Sequence, residues 1–172
     1  MSKLEKILYI STGGTIDKGY PRNIRGYAFE FQDPPAALQI FQRAKIGPFI
    51  EILHVKAFAK DSQEITEEDR AVIEKIVSEN PVSRVLLTHG TDTILETATF
   101  LQKHFPDRIF VLTGSFLPAV FRDSDAEFNL GMALGAVQSI REPGAYVALQ
   151  GLTERCDRLK RNLENGDFER IQ

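Results

Sequence analysis

Five apolar runs alternate along the chain with segments of helical periodicity, and this alternation constrains the fold most strongly. Strands that alternate with helices indicate a parallel sheet whose connections cross over in the right-handed sense. We therefore expect an α/β fold of three layers, with a mostly parallel, flavodoxin-like sheet, strand order 2-1-3-4-5 and helices on both faces. The runs that we interpret as strands are residues 4–10, 49–58, 85–87, 109–112 and 145–149.

Four helices are predicted, the first three from start signals and the fourth from the spacing of its apolar residues. Asp33 followed by Pro34 predicts the first, since a capping Asp with Pro at the first helical position is a frequent start. Thr66, followed by three acidic residues, predicts the second. Thr93 and Glu96 have the spacing of a capping box and predict the third. The third and fourth helices are expected over residues 93–104 and 125–140.

Two motifs rich in threonine and glycine directly follow the first and third runs: STGGTID at residues 11–17 and THGTDT at residues 88–93. The first and third strands of such a sheet flank its switch point, where open α/β sheets bind ligands. Glycines there allow close approach of the backbone, so we expect Thr15 and Thr91 to lie near each other. Taken singly, each motif is also compatible with a plain turn or a helix cap.

Composition excludes several classes of function. The net charge is −3 with acids and bases interspersed, so no basic surface for nucleic acid is expected. The apolar runs are far shorter than a membrane span, and we expect no membrane association. Cys156 is the single cysteine, which favours a cytoplasmic location. The three histidines of the chain are scattered, without the spacing typical of metal ligands. We therefore expect neither a metal nor another cofactor.

The two motifs resemble the signature segments of the bacterial-type L-asparaginase and glutaminase-asparaginase family. The resemblance implies that Thr15 is the primary nucleophile. It also implies that Thr91, Lys160 and Asp92 form a Thr-Lys-Asp triad, in which Asp92 additionally contacts the amino group of the substrate. His89 is a tempting general base, but the resemblance implies a largely structural role for it.

A third segment, DSQ at residues 61–63, resembles the part of the family that binds the substrate α-carboxylate. This assigns Ser62 and Gln63 to the substrate, together with backbone at Gly14 and Gly90. A hydroxyl and free N–H groups before a helix suit an anion. The alternative for Ser62 is an ordinary turn that precedes the second helix.

The segment at residues 113–130 also matches the family pattern, with Arg122, Ser124, Asp125 and Asn129 in register. Lys160 follows the next strand, and burial beside Thr91 would lower its pKa and make it a usable base. The alternative is a solvated surface lysine.

A loop over residues 19–26 follows the first motif, lies between glycines and has Tyr20 and Tyr27 near its ends. We interpret it as a mobile lid whose tyrosines assist Thr15. An ordinary surface hairpin is the alternative.

These features predict an L-asparagine amidohydrolase that acts through a threonine acyl-enzyme. The alternative function is an asparagine-binding module or an amidotransferase subunit with little activity of its own. We expect residues 1–172 to form one domain, equivalent to the N-terminal domain of the family, without the family's C-terminal domain. A homo-oligomer, most simply a dimer, is expected to cover the Phe-rich stretch at residues 116–121.

Overall fold

A computed structural model describes residues 4–21 and 28–171. The described strands are β1 (Glu5–Gly13), β2 (Lys18–Gly19), β3 (Glu30–Phe31), β4 (Ile50–Lys60), β5 (Arg84–Thr88), β6 (Ile109–Thr113), β7 (Gly144–Leu149), β8 (Leu152–Arg155), β9 (Leu159–Arg161) and β10 (Phe168–Arg170). The helices are α1 (Ala36–Arg43), α2 (Glu67–Glu79), α3 (Ile94–His104) and α4 (Ala126–Ser139). Every predicted strand and helix is present, with bounds shifted by a few residues.

The main sheet has six strands in the order β4-β1-β5-β6-β7-β8. Its first five strands are parallel, and they reproduce the predicted order 2-1-3-4-5. The sixth strand, β8, pairs antiparallel with β7 and was not predicted. The α/β fold class with a mostly parallel sheet is confirmed.

Alternating side chains of the central strands fill two separate cores. Leu8 and Leu87 lie in the core that α2 and α3 cover. Ile7 and Leu86 lie in the core that α1 and α4 cover. All four side chains are fully buried. Because successive residues of a strand point to opposite faces, runs that are apolar at every position indicate a sheet covered on both sides.

Helix α2 starts as predicted. Thr66 is its N-cap, and its hydroxyl accepts a hydrogen bond from the Asp69 backbone N–H at 3.3 Å. The Asp69 carboxylate accepts one in return from the Thr66 N–H at 2.9 Å. The two bonds form a capping box and fix where the chain turns from the DSQ segment into the helix.

Helices α1 and α3 start differently from the prediction. Helix α1 begins at Ala36, and the Ala36 N–H donates to the carboxylate of Asp17 at 2.8 Å, so a distant residue replaces the predicted cap Asp33. Thr93 precedes α3 but makes no capping bond with its side chain. Its hydroxyl donates instead to the Ser62 carbonyl at 2.7 Å. In both cases a contact between residues far apart in sequence is present where a local capping bond was predicted.

No described helix is both long enough and apolar enough to cross a membrane. The cytoplasmic location stays a prediction.

Candidate active site

The two threonine-glycine motifs leave the sheet side by side. Strand β1 pairs with β5, and Ser11 lies opposite Thr88 at the carboxyl end of both strands. The Thr12 hydroxyl donates to the Thr88 carbonyl at 2.8 Å, and the Tyr9 hydroxyl lies 2.9 Å from the Thr88 hydroxyl. These buried bonds tie the two strand ends together directly below the turns that carry Thr15 and Thr91.

Gly14 brings the first motif against the second. It has φ of 82°, and a Cβ atom added to it would lie 2.5 Å from the backbone nitrogen of Gly90. Its own N–H donates to the Lys60 carbonyl at 2.9 Å. Only glycine combines this left-handed conformation with so close an approach. The predicted proximity of the two motifs is therefore present as direct backbone contact.

Gly90 in turn packs against Ser62. A Cβ atom at Gly90 would lie 2.7 Å from both the Cβ and the hydroxyl oxygen of Ser62. The Ser62 side chain is buried and its oxygen accepts the Asp92 N–H at 3.2 Å. Since that bond uses an oxygen lone pair, the Ser62 hydroxyl proton remains available to donate. The segment of Gly14 thus packs on that of Gly90, which in turn packs on that of Ser62.

Thr15 begins a 3₁₀ turn that extends to Asp17. Its side chain is half-buried, whereas Ile16 beside it is fully buried and anchors the turn in the core. Directly after the turn, Lys18 forms an ion pair with Asp61 at 2.6 Å. The turn that carries Thr15 is therefore held against the DSQ segment as well as against Gly90.

The Asp92 carboxylate has a partner on each oxygen. Gln63 donates its amide N–H to one oxygen at 2.7 Å. Arg161 donates a guanidinium N–H to the other. Sequence reasoning placed Gln63 and Asp92 in one site but missed Arg161.

His89 directly follows β5 and is fully buried. Its Nδ1 lies 2.8 Å from the Gly90 carbonyl, and its Nε2 lies 2.8 Å from the Thr97 hydroxyl. Burial lowers the pKa of this imidazole to about 4, against the weaker opposing effect of its bond to Gly90. A neutral ring with both nitrogens bonded positions the Gly90 backbone, which agrees with the structural role expected for His89.

The expectation that Lys160 is buried beside Thr91 is wrong. Its side chain is 60% exposed, and its ammonium lies 3.4 Å from the carboxylate of Glu169 on β10. Leu159 is buried and Arg161 reaches Asp92. Because side chains alternate along a strand, Lys160 of β9 must point away from Asp92. The apolar Leu159 was the sequence signal that its face, shared with Arg161, is the inward one.

The loop expected to act as a lid is partly described. Lys18 and Gly19 of β2 pair antiparallel with Phe31 and Glu30 of β3. The described residues decide neither for the lid nor for its alternative, the surface hairpin. Tyr20 is exposed, and its ring lies 5.6 Å from that of Phe29. Residues 22–27, Tyr27 and Gly26 among them, lie outside the described residues.

The segment after β6 forms a scaffold beside Thr91. The Asp125 carboxylate accepts the backbone N–H groups of Phe116 and Leu117 at 3.0 to 3.1 Å. Asn129 donates to that carboxylate at 2.8 Å and to the Gly114 carbonyl at 3.1 Å. These bonds stabilise the loop between β6 and α4, so Asp125 and Asn129 have structural roles there.

Two cavities differ in their relation to this site. The larger, about 460 Å³, is lined by Glu5 and Arg84 at the amino end of the sheet. Those two side chains pair with each other at 2.9 Å, and Lys6 of the same lining pairs with Glu51 at 3.4 Å. The smaller, about 280 Å³, lies beside Asp92 and Arg161 at the carboxyl end. Open parallel α/β sheets bind ligands at the carboxyl ends of their strands. We therefore assign the site to that end of the sheet.

Across residues 4–21 and 28–171, no cluster of three or more His, Cys, Asp or Glu side chains is placed to hold a metal ion.

Asp17 is a second residue that sequence reasoning missed. Its carboxylate is buried with 3% exposure and accepts the Ala36 N–H. Burial raises its pKa to about 6, while that hydrogen bond and the charge of Lys56 act in the opposite direction. The pKa of the neighbouring Tyr9 hydroxyl is raised, first by its own burial and then by the charge of Asp17. An ionised Asp17 therefore costs folding free energy at neutral pH.

We expect Asp17→Asn to stabilise the protein more at pH 8 than at pH 4. A carboxyl with a raised pKa binds more protons when folded than when unfolded, so its contribution to stability falls between about pH 4 and pH 6. The difference between the ordinary value of 3.8 and about 6 corresponds to roughly 3 kcal/mol at pH 8. Asn keeps an oxygen that accepts the Ala36 N–H.

Urea unfolding of both proteins at pH 4 and pH 8 measures this effect. His89 changes stability in the opposite direction, because its lowered pKa makes stability fall as the pH drops below about 6.5. That contribution cancels when the two proteins are compared at the same pH. An equal difference at both pH values would show that Asp17 carries no charge-dependent cost.

Comparison with known proteins places the chain in a family. A family model described as Asparaginase, N-terminal, matches residues 6–163. The glutaminase-asparaginase of Acinetobacter glutaminasificans is 26% identical over 150 residues, which cover 83% of this chain and 45% of the relative. The L-asparaginase of Thermococcus kodakarensis is 33% identical over 148 residues, which cover 83% and 43%. The chain thus spans less than half the length of these curated relatives.

Solved structures show the same fold. The thermostable L-asparaginase from Thermococcus kodakarensis superposes with a TM-score of 0.76 at 29% identity, over 96% of this chain and 51% of that one. L-asparaginase I from Vibrio cholerae superposes with a TM-score of 0.75 at 22% identity, over the same shares of the two chains. At that lower identity the likeness concerns the fold alone.

Proposed function

We propose that this protein, which belongs to the asparaginase family by its match to that family's N-terminal domain, hydrolyses the side-chain amide of L-asparagine to aspartate and ammonia. The observation that carries this proposal is the backbone contact of Gly14 with Gly90, which holds the turns bearing Thr15 and Thr91 together. A binding protein for asparagine has no need of two adjacent hydroxyl-bearing turns.

The proposed chemistry begins at Thr15. Its hydroxyl oxygen bonds to the amide carbon, and its proton passes to the phenolic oxygen of a tyrosine of the β2–β3 connection, Tyr20 or Tyr27, as that tyrosine gives its own proton to the amide nitrogen. The C–N bond then breaks, ammonia leaves with the proton, and an aspartyl ester remains on Thr15. Water hydrolyses this ester at the side of the site formed by Thr91 and Asp92. Backbone N–H groups beside the threonines would stabilise each oxyanion, by about 3 kcal/mol per donor.

The remaining site residues bind the substrate in this proposal. Ser62 has a hydroxyl proton to donate to the α-carboxylate, because its oxygen already accepts the Asp92 N–H. Gln63 lies beside Asp92 and orients that carboxylate. Asp92 is then the group that meets the α-ammonium. Backbone at Gly14 and Gly90 completes the floor of the pocket.

The experiment that tests the proposal is ammonia release by the purified protein, with L-asparagine and L-glutamine measured side by side. We expect asparagine to be the faster substrate, since the longer glutamine side chain carries its amide carbon past the position set for Thr15. Binding of asparagine without release of ammonia would favour the alternative, a binding module or amidotransferase subunit.

Lys160 has a different expected effect from the one that the resemblance implies. An exposed ion pair contributes little to stability, and Lys160 has such a pair with Glu169. We therefore expect Lys160→Met to release ammonia at a rate within about fivefold of the wild type. A loss of several orders of magnitude would show that Lys160 leaves Glu169 during turnover and acts as the base.

We also propose that the protein forms a homodimer through the apolar surface after β6. Val120 is 55% exposed, and Phe116 and Leu117 lie beside it with 38% and 41% exposure. Exposed apolar patches of this kind are commonly covered by a partner. Light scattering over a dilution series measures the mass, and a monomer at all concentrations would contradict the dimer.

A further inference from the structure

Arg161 is held in place by the hairpin of β9 and β10. It lies opposite Phe168 in the strand pairing, and its guanidinium carbon is 5.8 Å from the centre of the Phe168 ring. Its side chain is only 19% exposed. Gly166 leaves room beside it, since a Cβ atom there would lie 3.4 Å from a guanidinium nitrogen. The cation is therefore positioned by packing and not only by its ion pair.

The Arg161 guanidinium pairs with the Asp92 carboxylate, the group proposed to bind the α-ammonium of the substrate. Arg161 and Gln63 together engage both oxygens of Asp92. A guanidinium stays protonated throughout the pH range in which proteins are folded, so its charge is permanent. A cavity of about 280 Å³ has Asp92 and Arg161 on its wall, together with Asn162, Leu163 and Gly166.

We propose that Arg161 is a specificity-determining residue, which competes with the α-ammonium of the substrate for Asp92. The inference rests on the proposed function of the site. A second cation gains less at a carboxylate that already has one, so the ammonium contributes little to binding. The site then accepts ω-amides of four-carbon dicarboxylic acids with or without an α-amino group, such as asparagine and succinamic acid.

The test compares Arg161→Gln with the wild type on matched pairs of compounds. Asparagine and succinamic acid differ only in the ammonium, as do the products aspartate and succinate. Any attraction of Arg161 for the shared carboxylates cancels in the ratio within each pair. The measured quantities are the kcat/KM ratio of the two amides and the Kd ratio of the two products.

In Arg161→Gln we expect the preference for the ammonium-bearing compound to rise at least about tenfold in both ratios, since hydrogen bonds in which both partners are charged are among the strongest in proteins. Arg170→Gln is the control, because Arg170 lies on the same hairpin but pairs with Glu154 in an exposed position. Its ratios should stay within twofold of the wild type.

The two proposals fail in different ways. No ammonia from either amide would remove the proposed function, and the product Kd ratios would still decide the role of Arg161. Ammonia release with ratios unchanged in Arg161→Gln would overturn the role of Arg161 alone. An equal rise in Arg170→Gln would do the same, because it would reflect the overall charge of the hairpin.

Discussion

Thr15→Ala should release ammonia from asparagine at least about a thousandfold more slowly than the wild type. Loss of a nucleophile removes the covalent route, and comparable losses in other hydrolases reach several orders of magnitude. The fold should persist, because the turn is held by the buried Ile16 and by the Gly14 N–H bond to Lys60. Thr15 itself is only half-buried.

Thr15→Ser is the matched variant. It keeps a hydroxyl on the same turn and removes one methyl group, so it should retain measurable turnover. Circular dichroism of both variants separates loss of chemistry from loss of fold. If Thr15→Ala kept as much as a tenth of the wild-type rate, Thr15 would not be the nucleophile.

Gly14→Ala should have the largest effect on stability, a loss of roughly 2 to 5 kcal/mol. The added methyl group would lie 2.5 Å from the Gly90 nitrogen and 2.8 Å from the His89 carbonyl carbon. Both are backbone atoms, which cannot rotate away, and overpacking of this kind typically costs about 1 to 3 kcal/mol. The left-handed φ of 82° adds about 1 to 2 kcal/mol for a residue with a Cβ.

The same substitution at Gly131 is the control. Gly131 lies in α4, and a Cβ atom there would meet nothing within 4 Å. Alanine should stabilise that helix by up to about 1 kcal/mol. Urea unfolding of the two variants decides the matter. Equal stabilities would show that the two motifs do not pack as closely as the Gly14–Gly90 contact requires.

Activity should fall with stability in Gly14→Ala but not in Gly131→Ala. Displacement of the Thr15 turn by about 1 Å from the substrate can cost about a hundredfold in rate. The contact between the glycines therefore links the fold to the proposed chemistry.

The sequence predicted the position of the site because that position depends on strand order. The apolar runs that end at Ile10 and Leu87 belong to neighbouring parallel strands, so the residues that follow them must meet. Ser62 could be placed nearby for the same reason, since it follows β4 on the other side of β1.

The wall of the site beyond Asp92 was not predictable in the same way. The orientation of Lys160 and Arg161 depends on which face of the three-residue strand β9 points inward, and a shift of one residue reverses it. The cap of α1 depends on Asp17, 19 residues before Ala36. The local signal at Asp33 predicted the wrong cap, because the buried carboxylate of Asp17 lies beside the helix start and accepts the Ala36 N–H.

Release of ammonia from L-asparagine by the purified protein, with Thr15→Ala assayed under the same conditions, tests the central claim most directly. We predict that the wild type produces ammonia and aspartate in equal amounts and that Thr15→Ala produces neither above background. Equal rates in the two proteins, or binding of asparagine with no ammonia from either, would contradict the claim that Thr15 of this site cleaves the amide.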